Sequence, residues 1–135
     1  MSLERGIHQR WKENYLLTRR VPNQRFITGR AAHLVRDGNG SWVVLKLIPE
    51  HENTRTSSSG ILGSVLCEFE IHAPSLDEAQ AIGTETLRCF HRADFPFQGG
   101  RTMDMKLVKQ SGESDEPHGW KQSMCFRVRI EIDDA

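Results

Sequence analysis

With 135 residues, the chain has the length of one domain and enough of it to bury a substantial core. Eighteen Lys and Arg residues cancel eighteen Asp and Glu, which excludes a global field that would draw the protein onto nucleic acid or a membrane. No apolar run approaches the roughly 20 residues of a membrane span, and the charged first residues, with no apolar stretch behind them, give no reason to expect a secretion signal.

Leu3, Ile7, Trp11 and Tyr15 recur every four residues, with Leu16 beside the last and polar residues between them. That spacing predicts an amphipathic helix from about Ser2 to Leu17, N-capped by Ser2. Pro22 closes the region and pushes Val21 towards extended geometry. Residues 24–36 read as one weak strand, and Asp37-Gly38-Asn39-Gly40 is a strong turn signal because Gly and Asn accept positive φ. Trp42 to Ile48 (WVVLKLI) is nearly continuous in apolar residues, as expected of a central strand covered on much of both faces. The segments either side of the turn should form a hairpin.

Residues 49–63 (PEHENTRTSSSGILG) read as a flexible polar loop, with Ile61 and Leu62 as partner-docking residues near its end. Val65, Cys67, Phe69 and Ile71 then alternate with Leu66, Glu68, Glu70 and His72, which predicts a strand with one face on the core. Pro74 ends it. Ser75 with Glu78 three residues on is a capping box, and Ala79, Ile82, Gly83, Thr86, Leu87 and Phe90 give the following helix a packing face. The connector from Asp94 to Gly100 brings Phe95 and Phe97 to the core.

From Thr102 to Gln110, Met103, Met105 and Leu107 alternate with Asp104, Lys106 and Val108. Residues 111–119 read as a second flexible, charged tip. Beyond it Met124, Phe126, Val128, Ile130 and Ile132 alternate with Cys125, Arg127, Arg129 and Glu131, so the last two strands should pair antiparallel. The order α-β-β-β-α-β-β describes a single α+β domain over residues 1–135. It has a mostly antiparallel sheet of about five strands with two helices on one face. Glu68, Glu70, Arg127, Arg129 and Glu131 fall on the polar outer face, where they should be solvated and pair across strands.

Little in the chain points to catalysis. None of the six histidines lies at ligand spacing from another, and the three cysteines, Cys67, Cys89 and Cys125, form no CxxC. The cysteines read as buried thiols of a cytosolic-type soluble protein. Glu68 and Glu70 lie about 7 Å apart by strand rise, but a solvated face lacks the tuned environment of catalytic carboxylates. Ser57 to Ser59 belong to no GxSxG elbow, and no glycine group precedes a helix as a phosphate cradle does. No catalytic residue, metal or cofactor is expected, and the protein reads as not an enzyme.

Charge is uneven along the chain. Residues 1–36 carry eight bases against two acids, while residues 111–135 carry six acids against three bases. One reading is a small α+β nucleic-acid-binding or regulatory module that neutralises phosphates with its basic beginning. The other is a pair of complementary surfaces that meet between copies: Arg19, Arg20 and Arg25 of one subunit against Glu113, Asp115 and Glu116 of the next.

The opening stretch SLERGIHQRW, the unit VLCEFEIHAPSLDEAQAIGTETLRCF and the closing MDMKLVKQSGESDEPHGWKQSMCFRVRIEI, in this order of elements, resemble the tail terminator or tail-completion (minor tail) proteins of tailed phages and prophages. The resemblance implies a non-enzymatic virion assembly protein. Such proteins form a ring, commonly of six copies, that stops growth of the tail tube and joins tail to head. It further implies partners among the tube and head-completion proteins, and a location in the bacterial host cytoplasm during assembly and then in the virion tail.

Overall fold

The computed structural model describes residues 2–29, 40–50, 54–55, 61–115 and 119–133. The fold is α+β. Its helices are α1 (Ser2–Lys12), α2 (Tyr15–Thr18) and α3 (Leu76–Phe90). The strands are β1 (Phe26–Thr28), β2 (Trp42–Pro49), β3 (Thr54–Arg55), β4 (Ile61–Ala73), β5 (Pro96–Phe97), β6 (Gly100–Asp115) and β7 (Gly119–Ile132). They form one sheet in the order β1-β2-β4-β7-β6-β5, with β3 paired to the beginning of β4. Among the described residues the strands number seven against the expected five or so, because two-residue strands such as β3 and β5 are too short to show a period.

The predicted first helix is two helices. Leu3, Ile7 and Trp11 form the buried stripe of α1, but the chain turns at Glu13 and Asn14, and the Asn14 side chain accepts from Leu17 N to start α2. Tyr15 and Leu16 therefore leave the stripe and are exposed at 73% and 46%. The Trp11 indole N–H donates to the Val21 carbonyl at 3.2 Å, fixing where the chain returns. Its ring stacks on Phe26 at 4.2 Å, and Phe69 joins the same group, meeting Phe90 at 4.8 Å and Phe126 edge-on at 5.6 Å. This aromatic cluster ties α1, α3 and the inner face of the sheet into one core.

The expected hairpin between β1 and β2 is instead a parallel pair, with Phe26 opposite Val43 and Thr28 opposite Leu45. Phe26 has to lie beneath Trp11, and the connecting segment has the length of a crossover, not of a tight turn. Residues 30–39, including Asp37, Gly38 and Asn39, lie outside the described residues. Beside β1, β2 is covered on both faces, with Val43, Val44 and Leu45 all fully buried. β4 is the centre of the sheet, antiparallel to β2 on one side and to β7 on the other.

In α3 the predicted packing face holds, with Ala79, Ile82, Gly83, Thr86 and Phe90 buried, joined by Cys89. Only half of the capping box forms. Ser75 Oγ accepts from Glu78 N, while the Glu78 carboxylate turns away to Arg20 at 2.9 Å. The closing hairpin is antiparallel as expected, but β6 carries irregularities between Thr102 and Asp104 and between Leu107 and Lys109. The first turns Met103 out to 46% exposure and puts Thr102 in the core, where its hydroxyl accepts from Phe95 N at 2.9 Å.

Candidate functional site

The outer face of β4 is not the solvated surface that alternation predicts. Glu70 is 4% exposed and His72 6%. They sit in the central strand, between Val44 and Trp42 on β2 and Ser123 and Lys121 on β7. Glu70 Oε2 accepts from Lys46 Nζ at 2.6 Å, and Oε1 lies 2.7 Å from His72 Nε2. Burial alone would push the Glu70 carboxyl up. The bonds from Lys46 and His72, with the charges of Lys46 and Lys121, outweigh it and hold the carboxyl below its ordinary range. With both oxygens bonded and the proton held off, Glu70 is a structural anion. Of the outer-face charges expected to pair across strands, Glu68 is opposite Cys125, while Arg127 reaches Glu50 at 3.2 Å.

The cysteine thiols are also held in reserve. Burial pushes Cys67 well up, and raises Cys89 and Cys125 too, so none is a reactive thiolate. Among the described residues no three His, Cys, Asp or Glu side chains gather to hold a metal ion.

Against this closed centre stand the basic groups of the helix layer. Arg20 is paired with Glu78, and Arg25 lies over the Trp42 ring at 5.0 Å. Arg19 is exposed, its guanidinium 6.0 Å from the Tyr15 ring centre. Of the three arginines singled out in the sequence, Arg19 is thus the one most open to a neighbour. An open groove of about 480 Å³ between α1 and the β5 region is lined by Arg5, Gln9, Arg10, Glu13, Phe97 and Gln98. Gly6 lets α1 approach the β5 region closely beside the groove: a Cβ there would lie 3.0 Å from Phe97 Cβ and 3.2 Å from the Phe95 ring. Arg10 is fixed at its wall, donating to the Cys89 carbonyl at 2.9 Å. Nothing in the sequence periodicity marks this groove, which arises where two distant segments meet.

Ile61 and Leu62 begin β4, opposite Ile132 and Glu131 of β7 and Arg55 and Thr54 of β3. The strand therefore starts ahead of the predicted Ser64, and these two residues belong to the sheet backbone rather than to a free loop. The predicted tip is shorter as well. β6 continues to Asp115 opposite Gly119, and Glu113 is an exposed strand residue opposite Lys121. Glu116 lies outside the described residues.

No protein-family model matches the chain, and the search of curated proteins finds no relative. Its fold does match a chain of a solved structure described as the virion of a native gene transfer agent particle. The TM-score is 0.71 over 96% of this chain and 95% of that one, at 15% identity. At that identity the likeness is one of fold.

Proposed function

We propose that this protein is a structural subunit of a phage-type particle, a non-enzymatic tail terminator or head–tail joining component that forms a ring on the end of the tail tube. The observation that carries the reading is the fold match to a virion chain along nearly the whole of both chains. The distribution of groups supports it. The buried Glu70 carboxylate is satisfied within the subunit, whereas Arg19 and Glu113 are exposed. Head-to-tail contact between unlike surfaces closes into a ring when the rotation allows.

In this reading Arg19, with Arg20 and Arg25 behind it, faces Glu113, Asp115 and Glu116 of the next subunit. The test is loss of the gene from its parent particle, followed by electron microscopy. Overlong tubes and unjoined heads are expected; particles with tails of normal length, joined to heads, overturn the proposal. Reversing Arg19 to Glu tests the contact, and rings that assemble normally from Arg19→Glu chains dismiss that pairing.

A further inference from the structure

The far edge of the sheet is open. β5 covers β6 only at Gly100 and Arg101, and the segment after α3 covers a little more. Arg92 N donates to the Met105 carbonyl, Leu107 N to His91 Nδ1, and Thr102 N to the Phe95 carbonyl. From Val108 to Ser114 every residue is exposed, and among the described residues no strand lies on that side. The last irregularity in the β6–β7 register falls at Val108, so residues 109–115 run regularly for about 23 Å. A regular, proline-free edge of this length is a template for another strand.

The residues along the edge are antisymmetric about Ser111: Lys109-Gln110-Ser111-Gly112-Glu113. If two copies of this strand pair antiparallel with Ser111 opposite Ser111, Lys109 of each lies opposite Glu113 of the other. Both side chains are on the outer face, since Lys109 is opposite Cys125 and Glu113 opposite Lys121. Within one chain neither makes an ion pair among the described residues. A shallow polar depression of about 260 Å³, lined by Ser111, Gly112, Glu113, Lys121 and Ser123, flanks Glu113 and leaves room for an incoming lysine.

We propose that free chains associate into a two-fold dimer through the β6 edge, with Ser111 on the axis and two Lys109–Glu113 pairs across it. The pairing is isologous and closed, so it makes a dimer and not a ring. It stands without the ring reading. If that reading also holds, the dimer occupies Glu113 and keeps free subunits from joining before the tube is present.

The solution mass of the full chain, measured by light scattering across micromolar to millimolar concentration, should approach twice 15.4 kDa. Lys109→Glu and Glu113→Lys each place like charges opposite one another twice, and each should weaken association about tenfold to a hundredfold. Mixed in equal amounts, the two variants have complementary edges and should dimerise again, which a folding defect would not allow. In a Cys125→Ser chain, Ser111→Cys should cross-link to itself, because directly opposed Cα atoms lie about 4.5–5.5 Å apart, within disulfide reach. A chain that stays monomeric throughout, a dimer indifferent to both reversals, or a Ser111→Cys variant that does not cross-link overturns the proposal. Failure of Arg19→Glu to disturb rings would touch only the ring contact.

Discussion

At the centre of the sheet Lys46 and Glu70 are 2.6 Å apart; at its edge Lys109 and Glu113 lie on one strand, about 13 Å apart by strand rise, and do not meet. The chemistry of the two sets is the same and the surroundings are opposite. Around Glu70, strands on both sides exclude water, so an unpaired charge would be costly and every oxygen is bonded. On the β6 edge water solvates each charge separately, and a pair formed there within one chain would contribute only about 0–1 kcal/mol. Charges at the centre therefore stabilise the subunit. Those at the edge leave its stability nearly untouched and are available to select a partner.

The largest break in this contrast is expected where centre and edge join. Gly119 has φ +124°, and a Cβ there would lie 2.3 Å from the Ala73 carbonyl oxygen and 2.7 Å from the Pro74 carbonyl carbon. Both neighbours are backbone, so the end of β4 and the turn end of the β6–β7 hairpin must separate. Gly119→Ala should cost about 3 kcal/mol or more in denaturant unfolding.

Removing the central anion comes next. Glu70→Ala leaves Lys46 and His72 facing a buried gap and should cost about 3 kcal/mol. The acid dependence carries a sign. Because the folded carboxyl lies below its ordinary 4.5, its contribution is present above that pH and is lost as pH falls through the folded value. The stability gap between the native chain and Glu70→Gln should therefore be full near neutrality and narrow below pH 4.5. A gap that widens on acidification would mean that burial, and not Lys46 and His72, dominates Glu70.

The sequence made the centre legible as structure and misleading as chemistry. Alternation from Val65 to Ile71 correctly put Cys67 and Phe69 inside, and the helical spacing after Ser75 correctly gave the face of α3. Alternation says which face a side chain takes, not what lies beside it. Glu70 thus reads as solvated although neighbouring strands bury it together with His72. The break after Lys12 is hidden because Tyr15 continues the four-residue spacing, and only the Asn14 cap betrays it. The parallel β1 was hidden because a turn signal at residues 37–40 says nothing about the direction of a strand held by Phe26 under Trp11. The open edge is written in the chain as Lys109 and Glu113 about Ser111, but it becomes visible only when β7 takes one side of β6 and the described strands leave the other uncovered beyond Leu107.

The smallest effect on stability belongs to the arginines of the helix layer, and it separates the two kinds of charge most finely. Arg20 bonds Glu78 at 2.9 Å, with both side chains about one-third exposed. Glu78 also supplies the N–H that Ser75 caps, so the pair joins α2 to the first turn of α3. Arg20→Ala should cost about 0.5–1 kcal/mol, and less at high salt, where a partly exposed pair is screened. Among the described residues the Arg19 guanidinium meets the Tyr15 ring, at 6.0 Å, and Arg19→Ala should change unfolding by less than about 0.5 kcal/mol. If Arg19→Ala proved the costlier of the two in the isolated chain, Arg19 would be serving its own subunit. The division between charges that build the fold and charges left for a neighbour would then fail at the residue on which the ring contact depends.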